Sequence, residues 1–148
     1  MLAAKNYHTG LATLRQVELS LVDMRLHTDP LARHHVAEIE ADVNSRFGLI
    51  PPTPFNRGLN TFSHIFDGEY AAGYYSYLWA EVLSADAWSA FEEAAVAPGA
   101  GVLDVETGRR LRRQVFETGG SRSAMESFRA FRGREPRIDA LLRHQGLA

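Results

Sequence analysis

Apolar side chains recur every three or four residues along two stretches in the first third of the chain. Over residues 10–27 this spacing predicts a largely buried helix, whose apolar stripe includes Leu11, Leu14, Val17, Leu21 and Met24. Asp29-Pro30 then matches a helix start, an N-cap followed by proline at the first helical position. The second apolar row has four-residue intervals and stops before Gly48, and it consists of Leu31, His35, Ile39, Val43 and Phe47. We expect these two helices to form an antiparallel pair.

The second half of the chain has the same helical spacing, interrupted by glycine and proline. A long helix is predicted over residues 71–95, and the Ala-Pro-Gly-Ala-Gly segment at 97–101 breaks it. Asp104 can cap a helix that runs to about Thr118. Ser123 and Glu126 have the spacing of a capping box at the start of the next helix. Gly133 ends that helix, and a last one is predicted over residues 136–146.

The core-facing positions of these helices follow the same period, and they are Leu78, Val82, Ala85, Phe91, Leu111, Val115, Phe116, Met125, Phe128, Phe131, Ile138, Leu141 and Leu142. No stretch alternates apolar and polar residues as a half-buried strand does. We therefore predict an all-α fold, a single domain over residues 1–148 with five to six helices.

Four of the five tyrosines lie in one stretch, residues 62–79, to which a proline-rich loop at 49–63 leads. If the chain is helical from Tyr70 onward, Tyr70, Tyr74 and Tyr77 form one row at i, i+4 and i+7. Buried phenols need hydrogen-bond partners, so such a row favours a cleft, although an aromatic packing ridge is the alternative. With His64, the phenols can donate hydrogen bonds to a carbonyl oxygen that becomes negative in a transition state.

The stretch F-S-H-I-F-x-G-x-Y-A-A-G-Y-Y-S-Y-L-W at 62–79 resembles the carboxyl-terminal part of the thimet oligopeptidase and oligopeptidase A family of zinc metallopeptidases. The resemblance continues through residues 1–16 and 128–144. It implies that Tyr77 and Tyr70 hydrogen-bond the scissile carbonyl or its oxyanion. It also implies that His64, Tyr74, Gly68 and Gly73 contact bound peptide. Asp67-Gly68-Glu69 departs from the glycine-richer loop that is usual in the family.

The zinc motif of that family, H-E-x-x-H, occurs nowhere in the sequence. The resemblance implies that the zinc ligands and the general base lie upstream of Met1. We therefore expect the carboxyl-terminal part of a zinc-dependent oligopeptidase, inactive alone and binding no zinc by itself. Its expected partners are short peptides, a separate zinc-bearing amino-terminal half, and further copies of the chain that associate through exposed apolar surface.

Two other hypotheses stay open from the residues. The first is a non-catalytic helical module that binds peptides or regulates another protein. The second is an independent metalloenzyme that uses His34, Glu38 and His64, since His34, Glu38 and Asp42 fall at i, i+4 and i+8. A solvated helix face explains these charged residues more simply, and His35 is interpreted as a core histidine.

Composition excludes several other classes of function. The 16 basic and 18 acidic residues give a net charge of −2, which indicates no nucleic-acid or membrane partner. The basic run at 109–113 is interpreted as an exposed helix face, with contact to phosphate as the alternative. With no cysteine, disulfides and thiolate metal sites are excluded. No signal peptide or membrane span is predicted, and we expect a cytoplasmic protein.

Overall fold

The computed structural model describes residues 2–96 and 101–148, and all regular secondary structure in these ranges is helical. The all-α prediction is confirmed. Within the described residues six α-helices are longer than a single turn, as the spacing predicts, and two more are single turns. The chain divides into two compact units, Met1–Leu78 and Trp79–Ala148. A single domain over the whole chain stays a prediction.

The first unit contains the helices that precede the tyrosine-rich stretch. Its α-helices are α1 (Leu2–Lys5), α2 (Thr9–Thr28), α3 (Val36–Phe47) and α4 (Ser63–Phe66), with 3-10 helices at Ala32–His34 and Gly58–Thr61. The next helix, α5 (Ser76–Ala95), begins in this unit and continues into the second. No helix within the described residues has both the length and the apolar composition that a membrane span requires.

Helices α2 and α3 pack together as predicted, around a core of Val22, Val43 and Leu59. Glu18 on α2 accepts a hydrogen bond from Asn44, whereas Arg25, two turns further along α2, pairs with Asp42, which precedes Asn44 on α3. The two helices therefore run in opposite directions.

The start that we predicted for α3 at Asp29-Pro30 is wrong. One carboxylate oxygen of Asp29 accepts a hydrogen bond from the Leu31 N–H at 2.8 Å, and the other lies 2.7 Å from Nε2 of His35. These bonds stabilise a tight turn that continues as a 3-10 helix, and α3 begins only at Val36. Leu31 is consequently 61% exposed, and His35 is a half-buried partner of Asp29 instead of a core residue.

The second unit continues α5 and adds α6 (Val105–Leu111), a π-helical turn at Arg112–Phe116, α7 (Ala124–Arg132) and α8 (Asp139–His144). Two apolar clusters stabilise it, one of Ala85, Ala140 and Leu141 and another of Ala90, Phe91 and Phe131. The predicted break at 97–101 lies outside the described residues, except for Gly101, which has no regular structure.

The predicted helix ends in this unit are confirmed at three places. The Asp104 carboxylate accepts a hydrogen bond from the Thr107 N–H at 2.7 Å and caps α6. Ser123 and Glu126 form the capping box of α7. Gly133 ends α7 with a left-handed φ of 73°, which glycine adopts without steric cost.

Two predicted core positions of the second unit are wrong. Leu111 and Val115 pack against the Phe91 cluster, but Phe116 is 70% exposed, because the predicted α-helix becomes π-helical at Arg112 and the direction of later side chains changes. Ile138 is also exposed, because it is the residue before α8 and not part of its packed face.

The basic run at 109–113 is paired with neighbouring acids, as an exposed helix face would be. Arg109 lies 3.5 Å from Glu106, and Arg112 lies 3.0 Å from Glu117. The Arg110 guanidinium stacks on the Phe131 ring, 5.4 Å from its centroid.

A buried carboxylate, Asp86 on α5, connects several segments of the second unit. It accepts two hydrogen bonds from the Arg134 guanidinium, at 2.6 and 2.7 Å, and one from the Arg137 N–H at 2.7 Å. Arg132 donates a longer bond of 3.2 Å. Burial raises the pKa of Asp86, but these hydrogen bonds and the arginine charges outweigh it, and the pKa lies below its ordinary value.

Candidate functional site

The tyrosine-rich stretch is not one continuous helix, so the predicted i, i+4, i+7 row is wrong. Helix α5 begins only at Ser76, and Tyr70 and Tyr74 lie in the turns before it. Ala72 has a left-handed φ of 54°, and Glu69 one of 65°, and a right-handed helix cannot include either conformation.

The structure nevertheless brings the predicted site residues Tyr70, Tyr74, Tyr77 and His64 together, and we call these four the tyrosine cluster. The ring centroid of Tyr77 lies 5.0 Å from that of Tyr70 and 5.3 Å from that of Tyr74. The His64 ring lies 5.8, 6.1 and 6.4 Å from those of Tyr74, Tyr70 and Tyr77. These separations are those of contacting aromatic rings.

The members of the tyrosine cluster differ in their access to solvent. Tyr74 is only 9% exposed, and its hydroxyl donates a hydrogen bond to Oε1 of Gln16 at 3.0 Å. Tyr77 is 41% exposed, Tyr70 is half-buried and His64 is exposed. Tyr77, Tyr70 and His64 are therefore the members with the most access to solvent.

Tyr77 keeps its proton more strongly than an ordinary tyrosine does. A hydrogen bond with Tyr70 and partial burial raise the pKa of Tyr77 above its ordinary value. The phenol therefore stays a hydrogen-bond donor throughout the neutral pH range.

A second buried carboxylate, Asp23 on α2, holds the turns that carry Tyr70 and Tyr74. Its Oδ1 accepts a hydrogen bond from the Ala72 N–H, and its Oδ2 accepts one from the Tyr74 N–H, both at 2.9 Å. Nδ1 of His27 lies 2.9 Å from Oδ1. The motifs of the sequence did not indicate roles for Asp23 and Gln16. The available signal was an aspartate between Val22 and Met24 within a predicted apolar helix.

Gly68 and Gly73 differ in what their backbones require. A Cβ atom on Gly68 would lie 2.9 Å from both Cα and O of His64, so only glycine fits there without a backbone shift. A Cβ atom on Gly73 would have no contact closer than 3.5 Å. Gly68 therefore allows the chain to turn closely around His64.

A cavity of about 330 Å³ lies beside the tyrosine cluster, within the first unit. Phe62, His64 and Tyr74 form its aromatic wall. Its charged lining includes Arg15 and the buried Glu18, whose carboxylate accepts from Arg15 at 2.9 Å. The cavity thus combines aromatic rings with charged groups of both signs, which is suitable for a polar chain such as a peptide.

Comparison with known proteins decides the family. The family model "Peptidase family M3" matches residues 1–147 of the chain. The chain belongs to peptidase family M3. The resemblance to the thimet oligopeptidase and oligopeptidase A family is thereby confirmed.

Several curated relatives of family M3 match nearly the whole chain. Oligopeptidase A of Salmonella typhimurium is 46% identical over 149 residues, which is 99% of this chain and 21% of the relative. Probable cytosolic oligopeptidase A of Arabidopsis thaliana is 47% identical over the same share of each chain. Dipeptidyl carboxypeptidase of Salmonella typhimurium is 35% identical over 150 residues, again 99% and 21%. The chain spans about a fifth of the length of these relatives.

The described part of this M3 chain offers no set of side chains that fits a zinc ion. Within residues 2–96 and 101–148, no three His, Cys, Asp or Glu side chains come together to hold a metal ion. The interpretation of His34, Glu38 and Asp42 as one helix face is wrong, because His34 lies in the 3-10 helix before α3. Nε2 of His34 accepts from Arg33, and Asp42 pairs with Arg25. No chemical step on this chain is therefore assigned to zinc.

Proposed function

We propose that this chain forms the substrate-binding and oxyanion-stabilising side of the cleft of an M3 oligopeptidase that acts on short peptides. Tyr77 and Tyr70 donate hydrogen bonds to the scissile carbonyl oxygen or to the oxyanion formed from it. His64 and Tyr74 contact the bound peptide, and Gly68 and Gly73 shape the loop beside it. The observation that carries the proposal is the convergence of Tyr70, Tyr77 and His64 at one accessible place.

Tyr77 supplies the chemistry that the proposal requires. An oxyanion is stabilised by donors that are fixed in place before the reaction, because they need no reorganisation as charge develops. The raised pKa of Tyr77 keeps its phenol protonated, and its contact with Tyr70 restricts where the hydroxyl can point. Both O–H groups can donate to one substrate oxygen once the hydrogen bond between Tyr77 and Tyr70 is replaced by a bond to that oxygen.

The contribution of Tyr74 is different in kind. Its hydroxyl is already bonded to Gln16, and the side chain is buried. Tyr74 therefore offers a peptide its ring on the cavity wall and not its hydroxyl, and the ring contacts those of His64 and Tyr77.

The chain alone is proposed to bind short peptides without hydrolysing them. The resemblance implies zinc, which would activate the attacking water, and a glutamate base, and both would come from a zinc-bearing partner segment. We further propose a cytoplasmic location. Self-association through exposed apolar side chains is also proposed, for which Leu49, Ile50 and Phe55 in the proline-rich loop are candidates, at 66%, 76% and 79% exposure. A strictly monomeric species in sedimentation at high concentration would contradict self-association.

A chimera tests the proposed catalytic role. This chain replaces the 149 aligned residues of Escherichia coli oligopeptidase A, to which it is 46% identical, and peptide hydrolysis is measured. In the active chimera, Tyr77→Phe should lower kcat by about a hundredfold to a thousandfold, as expected for one oxyanion donor. Tyr75→Phe is the matched control, because Tyr75 is a half-exposed neighbour outside the tyrosine cluster. Full kcat in the Tyr77→Phe chimera would refute the assignment.

The same experiment separates the non-catalytic alternative. A binding module would bind a peptide as the isolated chain, yet leave the chimera inactive. A chain that serves as part of a catalytic cleft should restore hydrolysis.

A further inference from the structure

Asp23 is the buried group whose contacts lead directly to the tyrosine cluster. It is fully buried, at 0% exposure, next to the buried Val22 on α2. Its two carboxylate oxygens accept hydrogen bonds from the N–H groups of Ala72 and Tyr74, which lie 49 and 51 residues away in the sequence. By contrast, the backbone hydrogen bonds within residues 70–77 join residues that are only three apart in the sequence.

The segment that Asp23 holds, residues 70–75, is not part of any helix. Ala72 is left-handed, a conformation that alanine seldom adopts. The local backbone bonds of the segment are single turns, from Gly73 N–H to the Tyr70 carbonyl at 2.8 Å, from Ser76 N–H to the Gly73 carbonyl at 3.0 Å and from Tyr77 N–H to the Tyr74 carbonyl at 3.3 Å. Asp23 binds the amides on both sides of Gly73, and so fixes these turns to α2.

We propose that Asp23 is a positioning residue of the M3 site. Its carboxylate fixes residues 72 and 74, and thereby places the rings of Tyr70 and Tyr74 against Tyr77. This inference rests on the proposed function, because the geometry that Asp23 fixes is the one assigned to peptide binding. Asp23 itself does not touch the substrate, since it has no exposed surface.

A purely structural role is the competing explanation, and the chain offers a matched control for it. Asp86 is also a buried aspartate, 1% exposed, and also accepts a hydrogen bond from a distant backbone N–H, that of Arg137. It belongs to the second compact unit, and the hydrogen bonds that its carboxylate accepts come from residues of that unit. Asp86→Asn should therefore reproduce any general loss of stability without disturbing the tyrosines.

The experiment uses the full chain and the variants Asp23→Asn and Asp86→Asn. Asparagine keeps the size of aspartate, but its amide group cannot accept from a backbone N–H, so one of the two bonds is lost. Tyrosine ring carbons labelled with ¹³C are followed by NMR as the pH rises. Asp23→Asn should return the pKa of Tyr77 toward its ordinary value, because Tyr70 moves away, whereas Asp86→Asn should leave it raised.

Peptide binding is measured on the same samples, by fluorescence anisotropy of a fluorescein-labelled, alanine-rich octapeptide. Asp23→Asn should raise Kd by about tenfold or more, because small displacements of positioned groups are costly. Asp86→Asn should stay within about twofold of the parent chain, as distant sites act independently. A folded Asp23→Asn chain with unchanged Tyr77 titration and unchanged Kd would overturn the inference.

Two other outcomes of these experiments still test the inference. If Asp23→Asn does not fold, amide hydrogen exchange of the parent chain replaces it. The Ala72 and Tyr74 amides should then exchange more slowly than those of Ala71 and Tyr75, and equal rates would overturn the inference. If the parent chain binds no peptide, the proposed function fails, whereas the Tyr77 titration still decides whether Asp23 places the cluster.

Discussion

Replacing Asp86 by asparagine should destabilise the second unit strongly. The carboxylate accepts five hydrogen bonds, from Ser89, Arg132, Arg137 and twice from Arg134. Asparagine has the same size but no charge, and its amide group would face donors that now meet an oxygen. The guanidinium of Arg134 would lose its carboxylate partner.

The magnitude follows from the burial of the pair. Removing one partner of a buried ion pair costs about 3–5 kcal/mol, because the other charge is left uncompensated. Arg132 keeps a second partner, since it also bonds Glu93 at 2.7 and 3.0 Å. We therefore expect a loss near the lower limit, about 3 kcal/mol in the free energy of unfolding.

Urea unfolding followed by tryptophan fluorescence is the suitable assay. Both tryptophans, Trp79 and Trp88, belong to the second unit, so their signal reports on the part of the chain that contains Asp86. Glu135→Gln is the matched control, because it removes the same charge from an exposed pair with Arg129, and exposed pairs contribute under about 1 kcal/mol. A loss below about 1 kcal/mol for Asp86→Asn, or an equal loss for both variants, would refute the reasoning.

Two other predictions concern acid stability and the loop around His64. The folded-state pKa of Asp86 lies below its unfolded value of about 3.9. The carboxylate therefore stabilises the fold above that pH, and this contribution is lost as the pH falls through the folded-state pKa. Unfolding curves of the parent chain and Asp86→Asn should converge in strong acid, and a constant difference between them would contradict this. Gly68→Ala should displace His64 and weaken octapeptide binding, whereas Gly108→Ala, on α6 with no atom within 4 Å of its Cβ position, should bind as the parent chain does; equal binding by both variants would contradict this.

Helix starts and ends that depend on residues close together in the sequence were predicted correctly. The capping box of Ser123 and Glu126, the cap at Asp104 and the left-handed Gly133 each depend on contacts within a few residues. The sequence therefore contains all that is needed to place the starts of α6 and α7 and the end of α7. The all-α class follows from the same period of apolar residues.

Contacts between distant residues account for what the sequence did not predict at the site. Alanine at position 72 favours a right-handed helix, so the spacing of Tyr70, Tyr74 and Tyr77 indicated a helical row. The bonds from Asp23 stabilise a left-handed Ala72 instead, and no pattern within residues 62–79 reveals them. The membership of the cluster was predicted correctly, while its backbone was not.

The hydrogen bonds from Asp23 to Ala72 and Tyr74 also affect the order in which the chain folds during synthesis. Helix α2 leaves the ribosome about fifty residues before the amides that its aspartate will bind. So long a loop closes after the local helices have formed, because its closure lowers the entropy of the chain before the new contact can stabilise it. A synthetic peptide of residues 62–79 would thus contain every ring of the cluster but not its arrangement, and a nascent chain would acquire that arrangement only after Tyr74 had emerged.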